Sequence, residues 1–299
     1  MTPRITPEHI AHYHAHGYVL VENFLTPEEL ARTREELQRI VPGWIEYADN
    51  PDGQRPNNWN EPPRSRRTLR FPFAGDQLNA NSLHPELLRF AATINGHADL
   101  VCEQSDLTYK CTGHYADVEQ TMHMDFGNHT LAYPSSDRKF WQTACLMYYT
   151  DVDEHSAPTA VVPWQHYEGE VHWPAAYEYD QRPQLYDKEV KATCPAGSVL
   201  IYSMRTFHRG TSFSDERARV GQFITFAPKD CPWLGIVGWP EQGIYKSFTR
   251  WMEQSTQAQR EMLGFPPPEH EYWTREMIDG VQARFPNLDM TLYENALAK

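Results

Sequence analysis

The sequence has 299 residues and carries 40 acidic against 27 basic side chains, which gives a formal net charge of −13. Hydrophobic residues make up 40% of the chain and aromatic residues 13%, so it can bury enough apolar surface to fold and is not intrinsically disordered. The acidic balance argues against nucleic-acid binding, and no run of about eighteen apolar residues predicts a membrane span or a signal core. We therefore expect a folded, cytoplasmic protein without nucleic-acid or membrane partners.

The N-terminal residues predict a helix, a strand and a second helix. The Thr-Pro pair at 6–7 is typical of a helix start and Gly17 of a helix end, after which residues 18–21 are apolar and strand-like. Residues 26–29 form a capping box that opens a second helix, and the Pro-Gly pair at 42–43 ends it.

The next segment, 43–81, lacks periodicity and is rich in Asn, Pro, Gly and Arg, which predicts a long loop. Residues 84–98 return to helical spacing. Short β-like runs separated by turn residues then follow at 106–111, 121–126, 141–150, 160–163, 198–203 and 221–227. Helical patterns return at 244–262 and 272–285.

Several short strands without a repeated βαβ unit favour an antiparallel sandwich or barrel over a doubly wound sheet. The predicted fold class is therefore mainly β with flanking helices. We read residues 1–299 as a single domain that ends in a C-terminal helical region, 244–299.

Five scattered cysteines contain no CxxC pair, and their number is odd. They are Cys102, Cys111, Cys145, Cys194 and Cys231. This pattern argues against a disulfide framework or a cysteine-ligated zinc site and predicts reduced, buried thiols.

Two His-x-Asp triplets are present, and their predicted settings differ. His97 and Asp99 follow Gly96 at a helix end, where their side chains diverge. His123 and Asp125 lie in a strand-like run, where residues two apart point to the same side. The second triplet is therefore the one that can present an imidazole and a carboxylate to a single metal ion.

A third ligand is expected from a histidine on a neighbouring strand. The histidines considered are His155, His166, His172 and His208. Only His208 follows a convincing predicted strand, and among all the histidines only His208 has an arginine eleven positions later, Arg219. Two histidines and one carboxylate leave positions of an octahedral Fe(II) open for a co-substrate and O2 together. A buried arginine beside them offers a planar fork for a distal carboxylate such as that of 2-oxoglutarate.

These motifs resemble those of the phytanoyl-CoA dioxygenase family of Fe(II)/2-oxoglutarate oxygenases, to which ectoine hydroxylases also belong. The resemblance covers most of the chain. The similar segments are 14–30 (HAHGYVLVENFLTPEEL), 123–126 (HMDF), 156–163 (SAPTAVVP), 195–202 (PAGSVLIY) and 208–219.

The resemblance implies a double-stranded β-helix core, also called a jelly roll or cupin-like fold. It also implies iron on His123, Asp125 and His208, with the C5 carboxylate of 2-oxoglutarate on Arg219. Halogenases of this fold lack the carboxylate ligand. The presence of Asp125 therefore favours hydroxylation, or a related desaturation or epoxidation, over halogenation.

The same resemblance assigns cofactor contacts to three further residues. Thr211 would add a hydroxyl to the distal carboxylate, with a solvated turn as the alternative. Trp141 would flank the cofactor, with core packing as the alternative, and Lys110 stands where relatives carry a lysine. Phe213, where many relatives have Asn, and residues 164–165, where the family has Gly-Ser, depart from the pattern and put the local turn geometry in question.

The expected activity is hydroxylation of an unactivated C–H bond of a small natural-product or amino-acid-like metabolite, with release of succinate and CO2. Segments 43–81 and 167–191 are the expected lids and specificity loops. The one basic cluster is either a solvated loop face or a clamp for a carboxylate, a phosphate or an acyl carrier; it consists of Arg64, Arg66, Arg67 and Arg70. Because the chain is acidic, a free metabolite is preferred over an acyl-CoA ester.

Other functional classes stay open at this point. One is the same family acting on an acyl-CoA or carrier-bound substrate. Another is a cupin-type metal enzyme that does not use 2-oxoglutarate, and a third is a metal-binding protein without activity. An oxygenase acting on peptides or nucleic acids is disfavoured by the net charge, and the sequence leaves the oligomeric state open.

Overall fold

The computed structural model describes residues 3–57, 59–60, 69–96, 98–125, 137–169, 175–229 and 246–298. The helices α1 to α10 are Pro7–His16, Pro27–Ile40, Trp44–Asp49, Asp76–Ser82, Pro85–Asn95, Pro183–Asp187, Lys246–Gln254, Gln257–Glu261, Arg275–Arg284 and Thr291–Leu297. The strands β1 to β10 are Tyr18–Val21, Leu100–Cys111, Met122–His123, Thr143–Tyr148, Thr159–Val161, Ala176–Tyr177, Val190–Lys191, Val199–Ser203, His208–Gly210 and Ala218–Pro228. Two short 3-10 helices lie at Arg138–Phe140 and Trp164–His166.

The first two helices begin where the sequence predicts because their caps form. The Thr6 hydroxyl accepts from the backbone N–H of His9, and the His9 ring accepts from the Thr6 N–H in return. Thr26 and Glu29 make the same reciprocal pair at the start of α2. Gly17 ends α1 with φ 79°, a left-handed conformation that glycine adopts without a steric penalty.

Two antiparallel sheets form the core of the described residues. The large sheet has the strand order β1-β8-β4-β10-β2, and the small sheet has the order β6-β3-β9-β5-β7. Every strand pair with a defined register is antiparallel. The structure therefore confirms the predicted fold class, a mainly β core with helices around it.

The large sheet has an inner face toward the small sheet and an outer face toward the helices. On β4, Leu146 and Tyr148 belong to a hydrophobic cluster that includes Val161 of the small sheet. Cys145 and Met147, which alternate with them, belong instead to the cluster that contains the core residues of the helices. Side chains on the inner face therefore meet those of the small sheet, and the functional residues lie in this space.

The predicted strands are present, but their first and last residues differ from the prediction where a neighbouring strand pairs with them over a longer or a shorter stretch. Strands β2 and β10 pair with each other along almost their whole length, so both extend beyond the predicted 106–111 and 221–227. The predicted strand 121–126 shortens to the two residues of β3 because β6 and β9 pair only there; residue 126 lies outside the described residues. The predicted helix 244–262 divides into α7 and α8 because Thr256 forms a new capping box. Helix α10 lies in the predicted C-terminal helical region, 244–299, beyond the two segments with helical spacing.

The prediction of one long loop over 43–81 is wrong for its two ends. Residues 44–49 and 76–82 form α3 and α4, and Trp44, Tyr47 and Phe71 are buried in the main hydrophobic cluster. These helices have six and seven residues, too few for a periodic pattern to emerge in the sequence. Tertiary burial decides their conformation.

Arg64, Arg66 and Arg67 lie outside the described residues, as do His97, His172 and Cys231. The four described cysteines are buried, as predicted. No helix in the described part of the chain has the length and apolar character needed to cross a bilayer. The single-domain reading and the lid roles of 43–81 and 167–191 stay predictions.

Candidate metal centre

Two strands of the small sheet bring the predicted histidines together. The register of β3 and β9 places His123 directly opposite His208, and their ring centroids are 4.5 Å apart. Directly opposed residues of antiparallel strands project from the same face. Asp125 follows His123 by two residues and lies on that face as well.

One carboxylate stands between the two imidazoles. Asp125 Oδ1 lies 3.4 Å from His123 Nε2, and Asp125 Oδ2 lies 3.3 Å from His208 Nε2. One ligand atom from each residue lies within 4.8 Å of the others; in the ranges that the structure describes, no second group of three or more such ligands meets this criterion. The three residues predicted from sequence therefore form one candidate metal site.

Backbone carbonyls fix which nitrogen each histidine offers. His123 Nδ1 lies 2.7 Å from the Thr121 carbonyl oxygen, and His208 Nδ1 lies 3.0 Å from the Thr206 carbonyl oxygen. A carbonyl oxygen only accepts, so each Nδ1 carries the proton and donates. Each Nε2 is therefore the nitrogen that faces the carboxylate, and it can bind a metal once its own proton has left.

The electrostatics of the site keep the carboxylate ionised. Asp125 and His208 are buried, and His123 is partly exposed. Burial by itself raises the pKa of Asp125, but the charge of His208 and hydrogen bonds from both histidines hold that pKa well below its ordinary value. Burial lowers the pKa of His123, and the hydrogen bond and charge of Asp125 more than offset this and raise it. The ligands are therefore one anion and two imidazoles, a set suited to a divalent cation.

Tyr202 contacts two of the candidate ligands and was not identified from the sequence. Its hydroxyl donates to Asp125 Oδ2 at 3.4 Å and lies 3.4 Å from His208 Nε2. Burial and the nearby Asp125 charge raise its pKa well above the usual value, so it stays a neutral phenol. The sequence offered two signals for Tyr202: the alternation of residues along β8, and the position of Tyr202 six residues before His208.

Two buried cations face each other further along the inner face of the large sheet. Arg219 on β10 is the register partner of Lys110 on β2. The Arg219 guanidinium lies 5.8 Å from the centre of the Tyr148 ring and donates to the carbonyl oxygen of Ala157. In the described residues, neither cation has a carboxylate within 4.0 Å. A pair of buried cations without an acidic partner is an environment that fits an anionic group.

The charge of Arg219 also changes the titration of its neighbour. Burial first and the Arg219 charge second lower the pKa of Lys110 from 10.5 to about 7. Burial likewise lowers the pKa of Arg219. A carboxylate bound between them would remove much of this penalty, because an opposite charge favours the charged form of each base.

The structure places Thr211 beside Lys110 and engages its hydroxyl elsewhere. Lys110 Nζ donates to the Thr211 carbonyl oxygen at 2.8 Å, and the Thr211 hydroxyl donates to the Pro158 carbonyl oxygen at 2.7 Å. Thr211 is buried, so the alternative of a solvated turn is wrong. Its described contacts orient the lysine; donation of its hydroxyl to a carboxylate stays a prediction.

The described contacts of Trp141 are those of a core residue. Its ring makes a T-shaped contact with Trp164 at 5.5 Å and lies 5.0 Å from the guanidinium carbon of Arg205. It belongs to the same hydrophobic cluster as Cys145 and Met147 on the outer side of the large sheet. These contacts favour core packing, and a cofactor role for Trp141 stays a prediction.

The other described histidines considered as third ligands lie elsewhere. His155 is exposed, and its Nδ1 lies 2.8 Å from the Ser214 hydroxyl. His166 is exposed in the second 3-10 helix. Of the described candidates, the fold brings only His208 to His123 and Asp125.

Solved structures share this fold at low sequence identity. SnoK, described as a non-heme alpha-ketoglutarate-dependent carbocyclase from nogalamycin biosynthesis, is 17% identical with a TM-score of 0.53, over 76% of this chain and 87% of that chain. SnoN, an epimerase in complex with Fe3+, alpha-ketoglutarate and nogalamycin RO, is 16% identical with a TM-score of 0.52, over 74% of this chain and 82% of that chain. AviO1 from Streptomyces viridochromogenes is 19% identical with a TM-score of 0.52, over 75% of this chain and 96% of that chain.

A sequence comparison extends the similarity beyond the fold. No curated protein sequence matches the chain. The family model described as phytanoyl-CoA dioxygenase (PhyH) matches residues 13–220, a segment that contains the whole triad and Arg219. Since this match covers well over half of the sequence, the chain belongs to the phytanoyl-CoA dioxygenase family.

Proposed function

We propose that this protein is an Fe(II)- and 2-oxoglutarate-dependent oxygenase that hydroxylates an unactivated C–H bond of a small metabolite, with release of succinate and CO2. The observation that carries the proposal is the presence of two complementary groups in one interior space. His123, Asp125 and His208 can hold a metal ion, while Arg219 and Lys110 are buried cations without a described acidic partner. A co-substrate with a chelating end and a distal carboxylate requires both.

The three metal ligands suit Fe(II) more than a closed structural metal site. They supply two imidazole nitrogens and one carboxylate from adjacent positions on one small sheet. This set, bound on one side of an octahedron, leaves positions free for a chelating co-substrate and O2 and is typical of non-heme Fe(II) oxygenases. The backbone bonds to both Nδ1 atoms hold the ring planes without using the coordinating nitrogens.

Arg219 is proposed to bind the C5 carboxylate of 2-oxoglutarate. A guanidinium offers parallel N–H donors that match a carboxylate, and such charge-assisted pairs are strong when buried. The contact with the Tyr148 ring and the bond to Ala157 fix the plane of this fork before the co-substrate arrives. Lys110 adds positive charge from the facing position on β2.

Iron and 2-oxoglutarate, when bound, would supply the oxidising chemistry, in which the keto acid loses CO2 to become succinate and one oxygen atom enters the substrate. The protein residues orient and shield this chemistry. The Tyr202 hydroxyl stays protonated and donates a hydrogen bond to Asp125, which restricts the carboxylate to one orientation. Burial of Asp125, His208 and Arg219 excludes bulk water from both ends of the co-substrate.

The proposed substrate is a free small molecule. SnoK and SnoN are described in connection with nogalamycin, and the proposal extends a small-molecule substrate of this kind to the present chain. A clamp for a CoA phosphate gains no support from Arg70, the one described member of the basic cluster. Its guanidinium Nε lies 3.4 Å from Asp106 Oδ1, so its charge is already paired.

The proposal is tested by measuring succinate formed from 2-oxoglutarate with Fe(II) and O2, in the presence of a metabolite panel screened by mass for the gain of one oxygen atom. Binding of 2-oxoglutarate to the Fe(II)-loaded protein without O2 is measured in parallel by calorimetry. We expect binding, slow succinate release alone, and faster release with a substrate. Absence of both binding and succinate would contradict the proposal. Succinate release that is unaffected by loss of Arg219 would favour an enzyme that holds its co-substrate in another way.

A further inference from the structure

One row of residues crosses the inner face of the large sheet from the metal centre to its edge. Gln104 on β2 is opposite Thr225 on β10, Thr225 is opposite Ala144 on β4, and Ala144 is opposite Tyr202 on β8. Opposed residues share a face, so the row ends at the tyrosine that contacts Asp125. Three strand spacings separate Gln104 from Tyr202, a distance of about 14 Å.

Polar atoms in this row are buried without a partner. Gln104 Oε1 and Thr225 Oγ1 have no hydrogen-bond partner in the structure, although Gln104 is more than nine-tenths buried and Thr225 is fully buried. Glu103, the extra residue at the β-bulge beside Gln104, has a buried and unpartnered Oε2 as well. Buried polar groups in native proteins are almost always satisfied, so such a cluster indicates a ligand or ordered water.

The amide of Gln104 is held in one orientation. Its Nε2 donates to Asp106 Oδ2 at 2.9 Å, and Asp106 Oδ1 lies 3.4 Å from Arg70 Nε. A flipped amide would place its oxygen against the carboxylate, which is unfavourable. The free Oε1 is therefore presented as an acceptor, and only a hydrogen-bond donor satisfies it.

A pocket lies at the edge of β2, beside Asp106, the hydrogen-bond partner of Gln104. It has a volume of about 220 Å³, and its lining includes Arg70, Asp106, Thr108 and the half-exposed ring of Tyr115. Asp106 belongs both to this lining and to the hydrogen bond that orients Gln104. The pocket and the unsatisfied row are therefore neighbours through one shared side chain.

The two described charged residues in the lining of this pocket pair with each other, and a second acidic side chain, that of Glu103, lies beside Gln104. Arg70 and Asp106 form an ion pair with each other. Burial raises the pKa of Glu103 to about 8, so its carboxyl group is mostly protonated at neutral pH. Among the described residues of the lining, an ammonium or a carboxylate on a ligand finds no unpaired opposite charge, whereas a neutral polar group keeps its full complement of hydrogen bonds.

We infer that this pocket, together with Gln104 and Thr225, binds the substrate, and that the substrate is a neutral ring compound that carries hydroxyl groups. The inference rests on the proposed function and specifies its substrate class. A ligand hydroxyl donates to Gln104 Oε1 and exchanges a second hydrogen bond with the Thr225 hydroxyl, which is both donor and acceptor. The Tyr115 ring offers a flat apolar surface for the ring of the ligand.

Three ring-matched probes separate the ligand chemistries: trans-cyclohexane-1,2-diol, cyclohexylamine and cyclohexanecarboxylate. Each is titrated by ligand-observed NMR into the protein as isolated and into protein loaded with Fe(II) and 2-oxoglutarate without O2. We expect the diol to bind at least tenfold more tightly than the amine and the carboxylate in both forms.

Two variants and a matched control locate the binding. Thr225→Val and Gln104→Leu each remove one hydrogen-bonding group, and we expect each to weaken diol binding by about three- to tenfold. Thr143→Val is the control, because Thr143 is also a fully buried threonine, but it alternates with Ala144 and lies on the outer face. It should leave diol binding unchanged, and all three variants should keep the 2-oxoglutarate affinity of the unaltered protein.

Each other outcome overturns a defined part of the inference. Equal or tighter binding of the amine or the carboxylate contradicts the neutral class. Wild-type diol affinity in Thr225→Val, which keeps nearly the shape of threonine, shows that ordered water alone fills the row; this variant also decides the matter if Gln104→Leu fails to fold. No probe binding in protein that binds 2-oxoglutarate contradicts the substrate class and leaves the proposed function standing. Failure to bind 2-oxoglutarate contradicts the proposed function itself.

Discussion

The two sheets of this protein differ in the length of their strands and in the candidate site residues that they carry. The large sheet contains β2 and β10, of twelve and eleven residues, whereas the described strands of the small sheet have two or three residues each. The histidine ligands stand on the small sheet, and Arg219 and Lys110 stand on the large one. Short strands orient a metal ligand well enough when the backbone itself binds the other ring nitrogen, as it does at His123 and His208. Long ladders are needed where two binding groups must keep a fixed separation.

This comparison predicts the largest loss of activity at the small sheet. Asp125→Ala removes the carboxylate that lies between both imidazoles, so we expect iron binding and succinate formation to fall to background. The melting temperature of the metal-free protein should change little, because the long ladders of the large sheet remain. Asp52→Ala, a change of an exposed aspartate, is the control. Full turnover in the Asp125 variant would refute the assignment of the triad.

On the large sheet, the expected effect is on the co-substrate alone. Arg219→Leu removes a charge-assisted fork worth roughly 1.5–3 kcal/mol, so the Kd for 2-oxoglutarate should rise by about ten- to a hundredfold. Iron affinity, measured without 2-oxoglutarate, should stay the same because the ligands are on the other sheet. Arg217→Ala, at a half-exposed arginine just before β10 whose partners are surface acids, should leave both constants unchanged. A loss of iron affinity in Arg219→Leu would show that the two sheets are not independent.

Tyr202 connects the sheets, so its replacement sharpens the comparison. Tyr202→Phe removes the hydroxyl that reaches Asp125 and His208 and should weaken iron binding by roughly tenfold, at the low end for groups that orient metal ligands. Titration of the metal-free protein with Fe(II) under anaerobic conditions measures this change. Tyr13→Phe, which removes a buried hydroxyl from α1, is the matched control. Equal iron affinities in the two variants would restrict Tyr202 to packing.

The last expected effect is on stability and not on ligand binding: the free energy of unfolding should depend on pH through Lys110. The folded-state pKa of Lys110 is lowered from 10.5 to about 7, so between these values the unfolded chain binds more protons than the folded one. Stability therefore rises with pH across this window, by at most about 1.4 kcal/mol per pH unit from this group. Lys110→Met removes this contribution.

Urea unfolding of the metal-free protein at pH 7 and pH 10 measures the difference. We expect the stability of the unaltered protein to gain on that of Lys110→Met as the pH rises. Lys188→Met, at an exposed lysine of the 167–191 segment, controls for the loss of a charge. The same pH dependence of stability in all three proteins would mean that burial and the charge of Arg219 do not lower the pKa of Lys110.

Local rules predicted those parts of the site that depend on one strand and its own alternation. His123 and Asp125 are two residues apart, and their shared side of the strand follows from that spacing alone. Arg219 was found by its distance from His208 because the turn between β9 and β10 is short. The caps at Thr6 and Thr26 are similarly local, and both helices begin as predicted.

The parts that depend on register between strands were not accessible. Nothing in the sequence states that Gln104 faces Thr225, because β2 and β10 are distant in the chain and a bulge at Glu103 shifts their pairing. The role of Tyr202 depends on the same kind of long-range contact. Helices α3 and α4 were missed for a related reason, since the burial of Trp44 and Leu78 in the main hydrophobic cluster, and not a periodic pattern, stabilises them.

Strand β10 is paired on both sides, by β4 and β2, and carries both Arg219 and Thr225. Six residues of extended chain separate these two positions, a span of about 20 Å. A doubly paired strand stretches or contracts very little, so β10 sets a fixed distance between the proposed co-substrate contact at Arg219 and the proposed substrate contact at Thr225. A new substrate preference can then evolve through a change of side chain at either position. An insertion between the two positions would instead move the substrate out of reach of the co-substrate.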